Sequence, residues 1–328
     1  MKKANKILVT LPFPKSMITS FDACVQRMEK LGFEVILDPR GRALTEDELL
    51  EYGPELIADV CTSDAWTRKA LEGAPNLKVI SRMGVGYDSI DVKAATEKGV
   101  GVTITVAANA PDVAEYTFSM MLAMSRKLMT ADRMVRAGEW KRVFSHSLYN
   151  KTLGIVGLGN IGKRLAKLTC GFDMKILAYD EYQDADYAKE NGITYCSVDQ
   201  LVKESDIISI HAPLTEATKG MISERELKMM KPEAMIVNCA RGGIVDEEAL
   251  YKGLKEGTIL GAALDVLEDE PPKKDNPLLT LDNVILSPHT AGMTYEGRSH
   301  LVEIAFQNAV DVYEGRAPKG LVNTDIVK

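Results

Sequence analysis

Strand-length apolar runs alternate with helix-length amphipathic segments along almost the whole chain. "KILVTL" precedes "MITSFDACVQRMEKLG" and "EVIL"; "IADVCT", "LKVISRMG" and "VGVTIT" follow, each set off by a helical segment. Short apolar runs spaced by amphipathic helices predict parallel strands buried on both faces, with the helices as crossovers. The pattern stops at "PDVAEYTFSMMLAMSRKLMTADRMVRA" (Pro111 to Ala137), a methionine-rich tract that predicts a long helical connection apolar on more than one face. It restarts at "KTLGIVGLGNIG" and runs through "MKILAYD", "GITYC", "DIISIHA", "AMIVNCA", "ILGAALDV" and "NVILSPH". A last helical segment, "TYEGRSHLVEIAFQNAVDVYEG", leads to an irregular tail. Two such series in 328 residues predict two doubly wound α/β domains. The first is discontinuous, residues 1–106 and 296–328, with the last helix returning to it; the second is residues 107–295.

The second series opens with a glycine-rich turn. Gly157, Gly159 and Gly162 form GxGxxG after an apolar strand and before a helix, and Asp180 ends the next strand 18 residues after Gly162. In that setting the spacing is a dinucleotide fingerprint. Gly157 permits the tight turn, Gly159 lets a pyrophosphate approach the helix N-terminus, and Gly162 lets the helix pack on the strand. Asp180 can accept hydrogen bonds from ribose hydroxyls and would repel a 2′-phosphate. "EYQDADYA" (Glu181 to Ala188) brings no basic residue to offset it, so NAD is expected over NADP.

Three polar residues fall at strand ends of this series, where doubly wound sheets bind ligands. Arg241 follows "AMIVNCA", Asp265 ends "ILGAALD" with Glu270 five residues on, and His289 follows "NVILSP". Singly each has a bland reading: a surface cap, one member of an acidic loop, a structural histidine. Together they suit reduction of a carbonyl. Histidine can supply the proton, a neighbouring carboxylate favours the imidazolium, and arginine can hold a substrate carboxylate through paired hydrogen bonds.

"SRMGVGYDSID", "NAPDVAEYTFSMML", "TLGIVGLGNIG", "HAPLT", "MIVNCARGGIVDEEAL", "ALDVLEDEPP" and "NVILSPHTAG" together resemble the D-isomer-specific 2-hydroxyacid dehydrogenases, in their phosphoglycerate dehydrogenase-like branch, from about residue 55 to 325. The resemblance implies an NAD-dependent oxidoreductase that moves a hydride between NAD(H) and a small D-2-hydroxyacid or 2-oxoacid of the 3-phosphoglycerate, hydroxypyruvate or glyoxylate class. It also implies a Rossmann cofactor domain and a flavodoxin-like substrate domain with a cleft between them. Arg241, Glu270 and His289 would be catalytic, with Arg241 on the substrate. Val85 and Gly86 of the "GVG" loop would offer backbone N–H groups to the substrate carboxylate. Asn160 and Ile161 would lie under the pyrophosphate. Ala212, Cys239, Ala240, Asp265 and Gly292 would line the rest of the cofactor, Asp265 near the nicotinamide amide. His211 reads as structural, and His146 and His300 as surface residues. The resemblance further implies a homodimer, paired through the methionine-rich tract and "GEWKR".

One departure bears on the substrate. Phosphoglycerate enzymes usually carry an arginine where this chain has "DVCTSDAWT" (Asp59 to Thr67), which has no basic residue. Glyoxylate, hydroxypyruvate or another short 2-oxoacid therefore fits at least as well as a phosphate ester. An alternative on the same fold is an NAD-sensing binding protein like the C-terminal-binding corepressors. A net charge of −7 argues against nucleic-acid and anionic-membrane partners. Five scattered cysteines without CxxC spacing are expected to be reduced thiols in a cytoplasmic protein, with no metal site.

Overall fold

The computed structural model describes residues 5–326. Its described residues divide into two compact units, 5–109 with 293–326, and Ala110–Gly292.

The first unit holds strands β1 (Lys6–Val9), β2 (Glu34–Leu37), β3 (Leu56–Cys61), β4 (Val79–Arg82) and β5 (Gly101–Ile104), all parallel in the order β2-β1-β3-β4-β5. Its first helices are α1 (Phe21–Lys30), α2 (Glu46–Tyr52), α3 (Arg68–Glu72) and α4 (Val92–Glu97). Alternate strand residues serve opposite faces. Ile7 and Val9 join Phe21 and Met28 of α1, while Leu8 joins Leu49, Leu71 and Ala94 of α2, α3 and α4. Thr45, Thr67 and Asp91 cap the last three helices with side-chain oxygens.

In the second unit come α5 (Ala110–Ser125), α6 (Leu128–Arg136), β6 (Thr152–Val156), α7 (Asn160–Leu168), β7 (Lys175–Tyr179), α8 (Ala185–Glu190), β8 (Ile193–Tyr195), α9 (Val198–Glu204), β9 (Ile207–Ile210), α10 (Glu224–Met229), β10 (Met235–Asn238), α11 (Glu247–Glu256), β11 (Gly261–Leu264) and β12 (Val284–Leu286). The seven strands are parallel, in the order β12-β11-β10-β9-β6-β7-β8. Connections run one way from β6 to β7 and the other way from β9, so the switch point lies between β6 and β9. One face is covered by α5 and α7, the other by α9, α10 and α11. The chain then returns to the first unit through α12 (Tyr295–Tyr313), whose Val302, Ala305, Phe306 and Ala309 complete the core against α1. No helix among the described residues is long and apolar enough to cross a membrane.

The methionine-rich tract is two helices rather than one. Lys127 takes a left-handed φ of 50° between α5 and α6. The physical division is burial: α5 buries Thr117, Met120, Met121 and Met124, whereas no residue of α6 is buried. Beyond α6 the chain runs without regular structure and leaves Trp140 88% and Phe144 91% exposed.

Strand β3 carries a carboxylate in its buried interior. Asp59 and Asp64 are both fully buried, and with Cys61 their ligand atoms lie within 4.8 Å of one another. Trp66 Nε1 donates to Asp59 Oδ2 at 2.6 Å; Thr10 Oγ1 and the Leu44 amide donate to Asp64, each at 2.9 Å. Asp59 Oδ1 has no such donor. Burial, then the neighbouring Asp64, raises the Asp59 carboxyl well above the carboxylate range; burial raises Asp64 too. Two buried carboxyls this close favour sharing one proton. A raised carboxyl keeps its proton in the folded chain while the unfolded chain loses it above about pH 4. Stability from this pair is therefore greatest at acid pH and declines as pH rises until the folded pair ionises. Asp59→Asn should flatten that decline, so the melting temperature of the variant gains on wild type between pH 5 and 8; parallel melting curves across that range would contradict it.

Candidate active site

The turn after β6 is shaped by contacts that only glycine allows. Gly157 has φ 94°, and a Cβ there would lie 2.6 Å from the Ala212 amide nitrogen. A Cβ on Gly162 would lie 2.3 Å from the Gly157 carbonyl oxygen. Gly159 is different: a Cβ there would meet nothing within 4 Å. Two glycines are thus demanded by the fold itself, and the third fronts open space at the start of α7. The first amides of that helix, at Asn160 and Ile161, face the same end. Asp180, just past β7, ties the turn down. Its Oδ2 accepts from the Leu158 amide at 2.7 Å and its Oδ1 from the Tyr182 amide at 2.8 Å. Each carboxylate oxygen keeps a second lone pair for a ribose hydroxyl.

Lys163 was missed from sequence. It lies on α7, yet its ammonium pairs with Asp184 and sits 4.6 Å from the Tyr187 ring centre, in the segment that by itself has no cation. No spacing signal joins residues 21 apart; only packing of α7 against α8 does.

The remaining cofactor candidates sit past strand ends. Ala212 follows His211 after β9, and Cys239 and Ala240 follow β10. The Cys239 thiol contacts Met120 Sδ at 3.7 Å in the core, and burial pushes it up to about 12. Its backbone, not its sulfur, is what that residue can offer a ligand. His211 Nε2 lies 2.8 Å from Ser209 Oγ, and Nδ1 is buried without a hydrogen-bond partner. Burial lowers the ring to about 3, so it is neutral, in keeping with a structural role. His146, read as a surface residue, is half-buried with Nδ1 3.6 Å from Glu233.

The loop after β10 is folded by Asn238. Its Oδ1 accepts from the Ala240 amide at 3.0 Å and its Nδ2 donates to the Arg241 carbonyl at 2.9 Å. The Arg241 guanidinium donates to the Ala240 carbonyl at 2.7 Å through Nη1, one of its five N–H groups. Glu270 and His289, 19 residues apart, meet at 2.7 Å between Oε2 and Nδ1, with both side chains about half exposed. A carboxylate only accepts, so Nδ1 carries a hydrogen and Nε2 faces away from the pair. Asp265 is buried against the Ser287–Ala291 segment that carries His289, and Gly292 follows that segment. Val85 and Gly86 belong to the first unit, in the loop after β4. There the Thr105 amide donates to the Gly84 carbonyl at 3.0 Å, and Gly84 packs on the Arg82 guanidinium.

The model of the D-isomer specific 2-hydroxyacid dehydrogenase NAD-binding domain matches residues 118–291. This chain belongs to the D-isomer specific 2-hydroxyacid dehydrogenases. A glyoxylate reductase of Thermococcus litoralis is 40% identical over 98% of both chains. A D-3-phosphoglycerate dehydrogenase of Methanocaldococcus jannaschii is 42% identical over 97% of this chain, which spans 59% of that protein. The solved D-lactate dehydrogenase of Aquifex aeolicus, complexed with NAD and lactic acid, superposes with a TM-score of 0.83 at 28% identity, covering 98% of this chain and 97% of that one. The family is one of NAD-dependent oxidoreductases of 2-hydroxyacids, and the turn around Gly159 fits the dinucleotide: the space a side chain would fill is open.

The glycines should therefore separate folding from binding. Gly159→Ala should melt within a few degrees of wild type yet bind NADH at least about tenfold more weakly, because its methyl enters the pyrophosphate space. Gly157→Ala should lower the melting temperature directly. Unchanged NADH affinity in Gly159→Ala, measured by fluorescence, would break the assignment.

Proposed function

We propose that this chain reduces glyoxylate or a similarly short 2-oxoacid, with Arg241, Glu270 and His289 as its catalytic set. The observation that carries the substrate reading is the fate of the Asp59–Thr67 segment. Asp59, Cys61, Asp64 and Trp66 all turn into the core, and none of its residues is a cation. Arg82 of β4, 3.5 Å from Ser63 Oγ, donates to the Met83 carbonyl at 3.2 Å and underlies Gly84, so it serves the loop backbone. A phosphate ester finds no arginine in that segment.

Bound NADH supplies the hydride. Arg241 holds the substrate carboxylate and aligns the carbonyl. His289 gives its Nε2 proton to the carbonyl oxygen as it becomes an alkoxide. Glu270 accepts from Nδ1, fixes the ring plane and offsets the imidazolium charge. Asp180 holds the adenosine ribose and disfavours a 2′-phosphate.

A panel of 2-oxoacids with NADH and NADPH tests the reading. Glyoxylate and hydroxypyruvate with NADH should turn over fastest, and phosphohydroxypyruvate poorly. His289→Asn should lower turnover by about 10²–10⁴ with NADH binding intact, the usual contribution of a general acid. Arg241→Ala should raise KM and lower kcat together. Phosphohydroxypyruvate as the best substrate would overturn the substrate reading. No NADH oxidation with any 2-oxoacid would leave the NAD-sensing binding protein instead.

The exposed Trp140 and Phe144, with Leu128, Met129 and Val135 exposed on α6, support a homodimer built on this arm. Five free cysteines support a reducing, cytoplasmic setting. Light scattering at micromolar concentration should give a dimer, and Trp140→Glu with Phe144→Glu should give a monomer; a wild-type monomer would refute the arrangement.

A further inference from the structure

We propose that the ion pair between Lys163 and Asp184 is a second determinant of the coenzyme. Asp184 engages the lysine that would otherwise meet the 2′-phosphate of NADP, and so keeps the site for NAD. The inference rests on the reading of Asp180 as the ribose residue. It adds to that reading a pair that acts by occupying a cation rather than by repelling an anion.

The two members are fixed to the two sides of the dinucleotide turn. Lys163 ends the first turn of α7, and its amide donates to the Gly159 carbonyl at 2.9 Å. Asp184 ends the loop that begins at Asp180, since β7 stops at Tyr179 and α8 starts at Ala185. The Asp184 amide donates to Tyr195 Oη at 3.0 Å. Its carboxylate is divided between two duties. Oδ1 accepts from the Tyr187 amide at 3.1 Å and caps α8, and Oδ2 takes the Lys163 ammonium. Lys163 is held at both ends by α8. Tyr187 Oη donates to the Lys163 carbonyl at 3.0 Å, and the Tyr187 ring centre lies 4.6 Å from the ammonium. The hydrogen bond from Lys163, then that from the Tyr187 amide, holds the Asp184 carboxyl below the usual carboxylate range, so the pair is charged at neutral pH.

A ribose held on Asp180 by its hydroxyls would carry a 2′-phosphate at the loop from Asp180 to Asp184. Such a phosphate needs a cation there, the part an arginine plays in NADP sites of this fold. Residues 181–188 hold Glu181, Asp184 and Asp186 and no basic residue. Lys163 brings positive charge to that segment from another helix, and it arrives already paired. The Lys163 side chain is 30% exposed and that of Asp184 45%, so the pair is no buried structural bridge and contributes little to stability. An ammonium keeps further N–H groups, but with Asp184 beside it the pair has no net charge to offer a phosphate. Repulsion by Asp180 and neutralisation by Asp184 are thus separate barriers. Removing the first alone leaves a 2′-phosphate unrepelled but without a partner.

Asp184→Asn removes the charge and keeps an oxygen for the α8 cap, so the variant should melt close to wild type. In fluorescence titrations it should bind NADPH about fivefold tighter than wild type, the effect of a charged hydrogen bond to phosphate discounted for exposure, while NADH affinity stays within about twofold. The gain should shrink as salt rises. The deciding comparison adds Lys163→Met. If Asp184 acts by occupying Lys163, the gain should vanish in the double variant, and Lys163→Met alone should bind NADPH as wild type does. Asp180→Ala with Asp184→Asn should bind NADPH more tightly than Asp180→Ala by itself. Unchanged NADPH affinity in Asp184→Asn, a gain that survives Lys163→Met, or a loss of NADPH affinity in Lys163→Met alone would overturn the proposal. If Asp180→Ala leaves the ratio of NADPH to NADH affinity at its wild-type value, it is the ribose reading that fails, and the Asp184→Asn comparison still reports whether Lys163 was occupied.

Discussion

A parallel sheet covered on both faces admits few polar side chains inside its strands, here the small hydroxyls Ser81, Thr103 and Ser209 with Asn238 and Asp59, and gathers others past the strand ends; this chain is organised by that constraint. Thr10 follows β1, Asp38 follows β2 and Thr105 follows β5; Asp180, His211, Asp265 and Ser287 follow β7, β9, β11 and β12. At each of these places the backbone leaves the sheet, so carbonyls and amides need new partners as well. Side chains that satisfy the backbone and side chains that meet a ligand are therefore drawn to the same few positions. Asp59 marks the other limit. It lies inside β3, and it is accommodated only with an indole N–H on one oxygen and a second carboxyl close by.

This explains which parts of the molecule could be read in one dimension. The alternation of apolar runs and helices is a local signal, and it led to two parallel-sheet units of five and seven strands. The GxGxxG spacing is local too, but the different duties of its glycines are not. Gly157 is required by Ala212, which arrives 55 residues later, and Gly162 by the Gly157 carbonyl; Gly159 is required by neither. The break at Lys127 has no glycine or proline to announce it. It follows from α5 being buried and α6 not, a property of what packs on them.

Among charged residues the same rule separates what was visible from what was not. Arg241, Glu270 and His289 stood out because each follows or neighbours a strand end in a recognisable motif. The meeting of Lys163 with Asp184 did not, because a helix surface residue carries no mark of what crosses over it. Asp265 was visible at a strand end, but its hydrogen bonds to the segment around His289 were not, because they join residues 22 to 26 apart.

The two carboxylates near His289 divide the labour by exposure. Glu270 is about half exposed and meets the ring directly, so on the proposed reading of His289 as proton donor water is free to rearrange around the pair. Asp265 is buried and accepts from two backbone amides and a hydroxyl. A single carboxylate could not serve both needs. One that responds to a proton must be solvated, and solvation loosens its geometry; one that fixes a backbone segment must be dry, and dryness makes a change of charge costly. On the proposed reading of His289 as the proton donor, separating electrostatic compensation from geometric restraint lets the imidazole be held by its backbone while its charge varies at its ring.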